Sequence, residues 1–177
     1  MINKTQTLRL LGAALLLAGL GVNSAFGATD SDTTTLQVNV AAEASITMSS
    51  ATTTLTSVGT EFANYTGSSA FTYKIRTTQA GGSGTITVNV ADFTGPGTNP
   101  DVDGGNLAYT CTVAAPATQC SGSVVAANTN TSVATFGADA HSALAGNAGS
   151  VAWTLLNDPA YTTGLHTALA TVTITAL

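Results

Sequence analysis

The sequence contains 177 residues, of which 44% are hydrophobic and 7% are charged, and its formal net charge is −5. Disordered chains combine low hydrophobicity with high net charge, and this chain has many hydrophobic and few charged residues. The sequence therefore predicts a folded protein. With four basic residues in all, it lacks the clustered positive surface needed to bind nucleic acid or an anionic membrane.

The N-terminal residues have the features of a secretory signal. Two basic residues precede an apolar stretch at residues 10–20, which is too short to span a bilayer comfortably. The small residues Ala25 and Gly27 then occupy the −3 and −1 positions of a cleavage site. An uncleaved anchor is the alternative, but the short apolar stretch disfavours it. We therefore predict that residues 1–27 are a signal peptide, and that the mature protein is secreted without a membrane span.

The mature chain has the size of one domain. Cleavage leaves about 150 residues, and a domain of that size buries roughly two-thirds of its unfolded surface. Lys74 and Arg76 are then the remaining basic residues. We divide this part into an N-terminal extension at residues 28–41 and a β-sandwich domain at residues 42–177.

Alternating apolar and polar residues predict seven or eight short strands along the mature chain. The first alternation, at Leu36, Val38 and Val40, lies in the N-terminal extension, and the pattern resumes at Ile46 and Met48. Residues 51–58 are a weaker candidate for a strand. We expect the segment from Leu36 to Val40 to need a sheet to join, because an isolated strand cannot satisfy its backbone hydrogen bonds.

Two pairs of strands are predicted to form hairpins. The first pair, at residues 71–75 and 86–90, is separated by the glycine-rich turn GGSG at residues 81–84. The second pair, at residues 151–155 and 168–176, ends the chain.

The remaining alternations complete the predicted fold. Strands are expected at residues 107–113 and 123–127, residues 132–136 are ambiguous, and residues 138–146 are expected to be a loop. Short strands at this spacing, separated by Gly, Asn, Asp and Pro, are typical of an immunoglobulin-like antiparallel β-sandwich. A closed barrel is the alternative. The sequence therefore predicts an all-β fold, either complete in itself or completed by strand exchange.

The two cysteines predict a disulfide. Cys111 and Cys120 are nine residues apart, which suits a bridge closing the loop between two neighbouring strands in an oxidising compartment. A redox pair or half a metal site fits less well, because the chain has no C-x-x-C spacing and His141 and His166 are distant in sequence.

The sequence lacks the common catalytic motifs. It has neither G-x-S-x-G nor H-E-x-x-H. A triad assembled in space from His141 or His166 is the alternative, but both histidines stand among loop residues. Trp153, the single tryptophan, is interpreted as a core anchor between the sheets and not as a platform for a sugar. We predict that the protein is not an enzyme and that it needs no cofactor.

The loop before residue 107 is a weak candidate for a calcium site. Asn99, Asp101 and Asp103 place oxygen side chains at alternate positions before Gly104, as in the first half of a calcium-binding loop. The pattern then fails, since Thr110 stands where a bidentate Glu is expected. Ordinary turn chemistry is the other interpretation of this run.

Two segments resemble a known class of bacterial surface protein. The segment TLQVNVAAEASITM at residues 35–48 and the terminal LATVTITAL, together with the signal and the disulfide-bearing Thr/Gly-rich chain, resemble secreted pilin-type and spore-coat-U-like subunits. The resemblance implies head-to-tail polymers in which Leu36, Val38 and Val40 join the incomplete sandwich of the next subunit. It also implies a periplasmic chaperone and usher as partners, with no catalytic residues.

Two functions therefore stand as expectations. The first is a structural subunit of an extracellular filament, pilus or coat, with identical subunits as its partners. The second is a monomeric adhesin-like module, stabilised by calcium in one version, that recognises glycan or protein through its loops. Under the second, the segment from Leu36 to Val40 is simply the first strand of its own sandwich.

Overall fold

The computed structural model describes residues 30–177, and the predicted signal peptide at residues 1–27 lies outside them. The strands form one compact unit that begins at Asn39 and runs to Leu177. No helix in the described part of the chain is long and apolar enough to cross a bilayer.

Ten strands make up the unit, and three of them are only two residues long. In chain order they are β1 (Glu43–Met48), β2 (Thr56–Ser57), β3 (Tyr65–Arg76), β4 (Gly84–Val90), β5 (Leu107–Val113), β6 (Thr118–Gln119), β7 (Val124–Val125), β8 (Thr131–Phe136), β9 (Asn147–Leu155) and β10 (Ala170–Ala176). A single helical turn at Val102–Asn106 precedes β5.

The strands form two antiparallel sheets, which confirms the predicted all-β sandwich. One sheet has the order β1-β3-β9-β5-β7, with β2 also paired to β3, and the other has the order β10-β4-β8-β6. In the immunoglobulin fold, strands A, B, E and D form one sheet, and C, F and G belong to the other. Strands β1, β3, β9 and β5 match A, B, E and D, while β10 and β4 match F and C.

The inward-facing side chains of the central strands form the core. Tyr73 on β3, Ile86 and Val88 on β4, and Tyr109 on β5 are almost completely buried. Each fully buried side chain of this size contributes about 1.5–3 kcal/mol relative to an exposed one. Trp153 on β9 is buried among them, as the sequence predicts.

Both predicted hairpins are wrong. β3 and β4 follow each other in the chain but belong to different sheets, and so do β9 and β10. The glycine-rich connection at residues 77–83 and the loop at residues 156–169 therefore cross from one sheet to the other. A turn between two alternating segments has the same local sequence whether it closes a hairpin or joins two sheets, so the pattern alone could not separate the two arrangements.

Two weaker strand predictions and one loop prediction have the following outcomes. Within residues 51–58 only Thr56–Ser57 pairs with β3, the ambiguous segment at residues 132–136 lies in β8, and residues 138–146 form a loop. The segment from Leu36 to Val40, in contrast, is not a strand in this structure, because the first strand begins at Glu43.

The predicted disulfide is present and ties the two sheets together. Cys111 lies on β5 of the first sheet, while Cys120 directly follows β6 of the second, and their sulfurs are bonded. Disulfides persist in oxidising compartments, so this bond fits a protein of the periplasm or the cell exterior.

Candidate functional site

One side of the sandwich is incompletely closed. β1 is the last strand of one sheet and β10 the last strand of the other, and the two strands lie next to each other on the same side of the sandwich. Their inward-facing apolar side chains define what we call the open edge. These residues are Ala44, Ile46 and Met48 on β1, and Val172, Ile174 and Ala176 on β10.

The open edge differs in burial from the strands behind it. On β1, Ile46 is only partly buried, whereas Tyr73, its partner on β3, is 0% exposed. On β10, Val172 and Ile174 are also partly buried, although their partners on β4 are fully buried. These side chains pack against the core, yet part of their surface stays accessible to solvent. A strand placed alongside would complete their burial.

Within residues 30–177, the backbone of β10 also has no partner strand on its outer side. β10 pairs with β4 on one side, and in the described part of the chain no strand pairs with its other side. This position, next to the strand that matches F, is where strand G stands in the immunoglobulin fold. An unpaired strand edge presents a row of N–H and C=O groups to which another chain can add a strand.

The candidate subunit-joining strand presents a matching row of apolar side chains. Leu36 is 91% exposed, Val38 is 85% exposed and Val40 is 57% exposed. Successive side chains of an extended chain point to opposite sides, so in an extended conformation these three would share one side. We call residues 36–40 the donor segment. Their apolar side chains repeat every two residues, as do those of β10 at the open edge.

An arginine holds the chain where the donor segment meets β1. The Nε of Arg76 donates to the carbonyl oxygen of Ala41 at 2.8 Å, and its terminal nitrogen donates to the Glu43 carboxylate at 3.3 Å. Arg76 is the last residue of β3 and lies directly opposite Glu43 in the register. One of the two Lys and Arg residues within residues 30–177 therefore fixes residues 41–43.

The candidate calcium ligands each hydrogen-bond to a different group. Asp101 accepts a hydrogen bond from the backbone N–H of Gly104 at 3.0 Å, and Asp103 accepts one from the N–H of Asn128 at 3.1 Å. Among the described residues no group of three or more His, Cys, Asp or Glu side chains is placed to hold a metal ion. The Asp101 contact is local turn chemistry, whereas the Asp103 contact joins the loop to a residue 25 positions further along the chain.

The third candidate ligand, Asn99, binds a histidine. Its Oδ1 lies 2.7 Å from Nδ1 of His166, whose Nε2 lies 2.7 Å from the carbonyl oxygen of Thr162. A Cβ at Gly95 would stand 2.5 Å from that Nδ1, so the close approach of the two loops requires glycine there. The sequence shows the glycines of this loop, but it does not show which distant residue they approach.

The other histidine is exposed. His141 Nε2 lies 3.6 Å from Asp139 Oδ1, in the loop before β9. Trp153, in contrast, donates its indole N–H to Ser69 Oγ at 2.8 Å from within the core. A buried tryptophan with a satisfied N–H fits the predicted anchor role and offers no surface on which a sugar ring could stack.

Comparison of the chain with protein-family models, with curated proteins and with solved structures finds no match.

Proposed function

We propose that the protein is a structural subunit of an extracellular filament, pilus or surface coat, and that identical copies join by β-strand donation. The observation that carries this proposal is the open edge, which stands where strand G would complete an immunoglobulin-like sandwich. The donor segment supplies what the open edge lacks, because it has exposed apolar residues at every second position and its backbone is not paired in a sheet.

The energetics favour this pairing. Leu36 and Val38 are almost fully exposed, and burying a side chain of this size contributes about 1.5–3 kcal/mol. The same strand would also cover Val172 and Ile174 and bond to the free backbone of β10. An exposed apolar edge of this kind also promotes aggregation. A periplasmic chaperone that covers the edge before assembly, with an usher that receives the subunits, belongs to the same proposal.

The topology favours one direction for the donated strand. We call the end of the sandwich at Glu43 and Ala176 the base, and the opposite end the tip. If the donor segment of one subunit runs antiparallel to β10 of an acceptor subunit, Val40 leaves the acceptor at its tip. The base of the donor's own domain then lies next to the acceptor's tip. This arrangement repeats head to tail. In the parallel direction Val40 would emerge at the acceptor's base, where the acceptor's own extension begins.

The test uses alternate residues of the donor segment. The change Leu36→Ser with Val38→Ser should abolish polymers and leave a compact monomer, because it removes apolar side chains without altering the domain. The matched control, Gln37→Ser with Asn39→Ser, changes the other side of the same segment and should polymerise as the wild type does. Light scattering after size-exclusion chromatography and negative-stain microscopy measure the outcome. Unchanged polymers in the first variant would refute strand donation.

A complementary experiment tests the acceptor. The change Ile174→Ser should weaken the open edge, and that variant should also fail to polymerise, while Thr173→Ser on the outer side should have no effect. Mixing the Ile174→Ser variant with the Leu36→Ser/Val38→Ser variant should give dimers and no longer species, because only one intact donor and one intact acceptor remain. Failure to form such dimers from two folded variants would contradict the assignment of donor and acceptor.

A secreted binding module is the second candidate, and one observation favours it. In the loop between β2 and β3, Val58 is 81% exposed and Phe62 is 60% exposed, with Phe62 in the left-handed region at φ 55°. An exposed aromatic side chain in a loop is the kind of group that recognises glycan or protein. This function predicts a protein that stays monomeric at high concentration and loses ligand binding with Phe62→Ser.

A further inference from the structure

We propose that the connection between the donor segment and β1 prevents a subunit from filling its own open edge, so that the segment binds only a second copy. The inference rests on the proposed function and concerns how that site is regulated. It follows from three properties of residues 40–43: their reach, their turn chemistry and their contact with Arg76.

The reach of the connection excludes one direction of self-insertion. Val40 is three residues from Glu43, so their Cα atoms are at most about 11 Å apart. Glu43 is at the base, next to the end of β10 at Ala176. An antiparallel strand of residues 36–40 that starts opposite Ala176 would place Val40 opposite Val172, about 13 Å along the strand, and a start nearer the tip would place it farther away. The subunit's own donor segment cannot reach that position.

Turn chemistry opposes the other direction. To lie parallel to β10, the donor segment would have to reverse its direction and cross from the sheet of β1 to the sheet of β10 within Ala41 and Ala42. A reversal in two residues requires positive φ at one or both positions, which favours Gly, Asn or Asp and strains alanine. In the described part of the chain, Phe62 and Asp139 are the non-glycine residues with positive φ, so neither alanine has the conformation of such a reversal.

The Arg76 contact reinforces this conformation. Its hydrogen bonds to the Ala41 carbonyl and the Glu43 carboxylate hold the residues that a turn would have to rearrange. Because Arg76 is partly exposed, the contact is weaker than a buried ion pair would be. Arg76 is thus a positioning residue, and the short connection makes the larger contribution.

The test lengthens the connection. A flexible Gly/Ser insert of about twelve residues has a root-mean-square length of about 19 Å, which lets residues 36–40 reach the tip of their own domain. We place it between Val40 and Ala41, with the same insert between Leu144 and Ala145, in an exposed loop, as the control. The first variant should be a monomer with a higher melting temperature than the Leu36→Ser/Val38→Ser monomer, whose edge is empty. The control insert should still polymerise.

A combined variant separates the possible outcomes. Adding Leu36→Ser and Val38→Ser to the lengthened connection should remove the gain in melting temperature, because the inserted strand then lacks its apolar side chains. Normal polymerisation of the lengthened variant, without a stabilised monomer, would overturn this inference and leave strand donation intact. If the wild type is monomeric and the donor substitutions have no effect, the proposed function fails, and this inference fails with it.

A second pair of variants isolates Arg76. The change Arg76→Ala should slow polymerisation by about twofold to fivefold, the range expected when one exposed charged contact is lost, because more monomers transiently fold back. Lys74→Ala is the matched control, since Lys74 lies on the same outward face of β3 and makes no ion pair with Glu43 in residues 30–177. Equal rates for the two variants would remove Arg76 from this role.

Discussion

Tyr109 and Trp153 face each other across β5 and β9, with their rings edge to face and their centroids 5.4 Å apart. The Tyr109 hydroxyl then reaches the opposite sheet, where it lies 2.8 Å from Thr131 Oγ1 and 3.0 Å from the carbonyl oxygen of Ser132. One aromatic pair thereby packs the first sheet and bonds it to the second through β8.

This contact predicts that Tyr109→Phe destabilises the sandwich although it removes a single oxygen atom. Loss of the hydroxyl leaves acceptors of the other sheet unsatisfied, and such a loss costs about 1–3 kcal/mol. Urea unfolding followed by tryptophan fluorescence measures the change in the free energy of unfolding. Tyr65→Phe, at a partly buried position of β3, is the control and should cost less. Equal losses would show that the inter-sheet hydrogen bond contributes little.

Alkaline pH should weaken the fold through two buried tyrosines, Tyr109 and Tyr73. Burial raises the pKa of Tyr109 and of Tyr73 above the usual value near 10, because the buried phenolate would be desolvated. The folded state therefore favours the neutral phenol. This contribution to stability is complete below the unfolded pKa and is lost as the pH rises through the folded pKa. Urea midpoints should fall above about pH 10, and they should fall less steeply in Tyr109→Phe than in the wild type.

Gly149 should not tolerate a side chain. A Cβ at this position would lie 2.3 Å from ring atoms of Phe71, its partner on β3. Because neighbouring strands fix both backbones, Gly149→Ala should cost about 1–3 kcal/mol through overpacking. Gly137→Ala is the matched control, since nothing lies within 4 Å of its added Cβ. Thermal melts of the two variants should differ by several degrees, and equal melting temperatures would contradict the close contact.

Removal of the disulfide should destabilise the domain without unfolding it outright. Closing a loop of this length in the unfolded chain accounts for about 2–3 kcal/mol. The variant Cys111→Ala/Cys120→Ala should therefore keep the circular dichroism of the wild type but unfold at a lower urea concentration. The reduced wild type should match it, which separates loss of the bond from loss of the cysteine side chains.

Calcium should not change the stability of the protein. The carboxylates of Asp101 and Asp103 each accept a separate backbone hydrogen bond, and within residues 30–177 they belong to no group of three or more His, Cys, Asp or Glu side chains that could hold a metal ion. Melting temperatures in millimolar calcium and in EDTA are therefore expected to agree. Asp101→Asn should have a small effect in both media, because an amide oxygen can still cap Gly104. A rise in melting temperature with calcium that Asp101→Asn removes would restore the ion-binding interpretation.

The sequence predicts local features of this protein better than it predicts pairing. Alternation identifies β3, β4, β5, β9 and β10, since a half-buried strand requires apolar residues at every second position. It does not identify partners, because β3 pairs with β9, which lies far away in the chain. The same limit explains the two wrong hairpins. The donor segment shows the opposite limit of the pattern. Its residues Leu36, Val38 and Val40 alternate as in a strand, but they have no partner strand among the described residues.

The open edge could not have been predicted in the same way. Ile46 and Ile174 belong to alternating segments like those of the central strands, and nothing local distinguishes an outer strand from an inner one. The distinction depends on sheet order, which places β1 and β10 last in their sheets. The disulfide, in contrast, could be predicted from the two cysteines, their separation in the sequence and the predicted secretion of the protein.

The disulfide lies on the side of the sandwich away from the open edge, because β5 and β6 are distant from β1 and β10 in their sheets. The sheets are thus covalently joined on one side and held only by partial packing on the other. Transient separation should begin at β1 and β10, where amide protons should exchange with solvent fastest. The open edge is therefore also the part of the domain that is expected to open most readily.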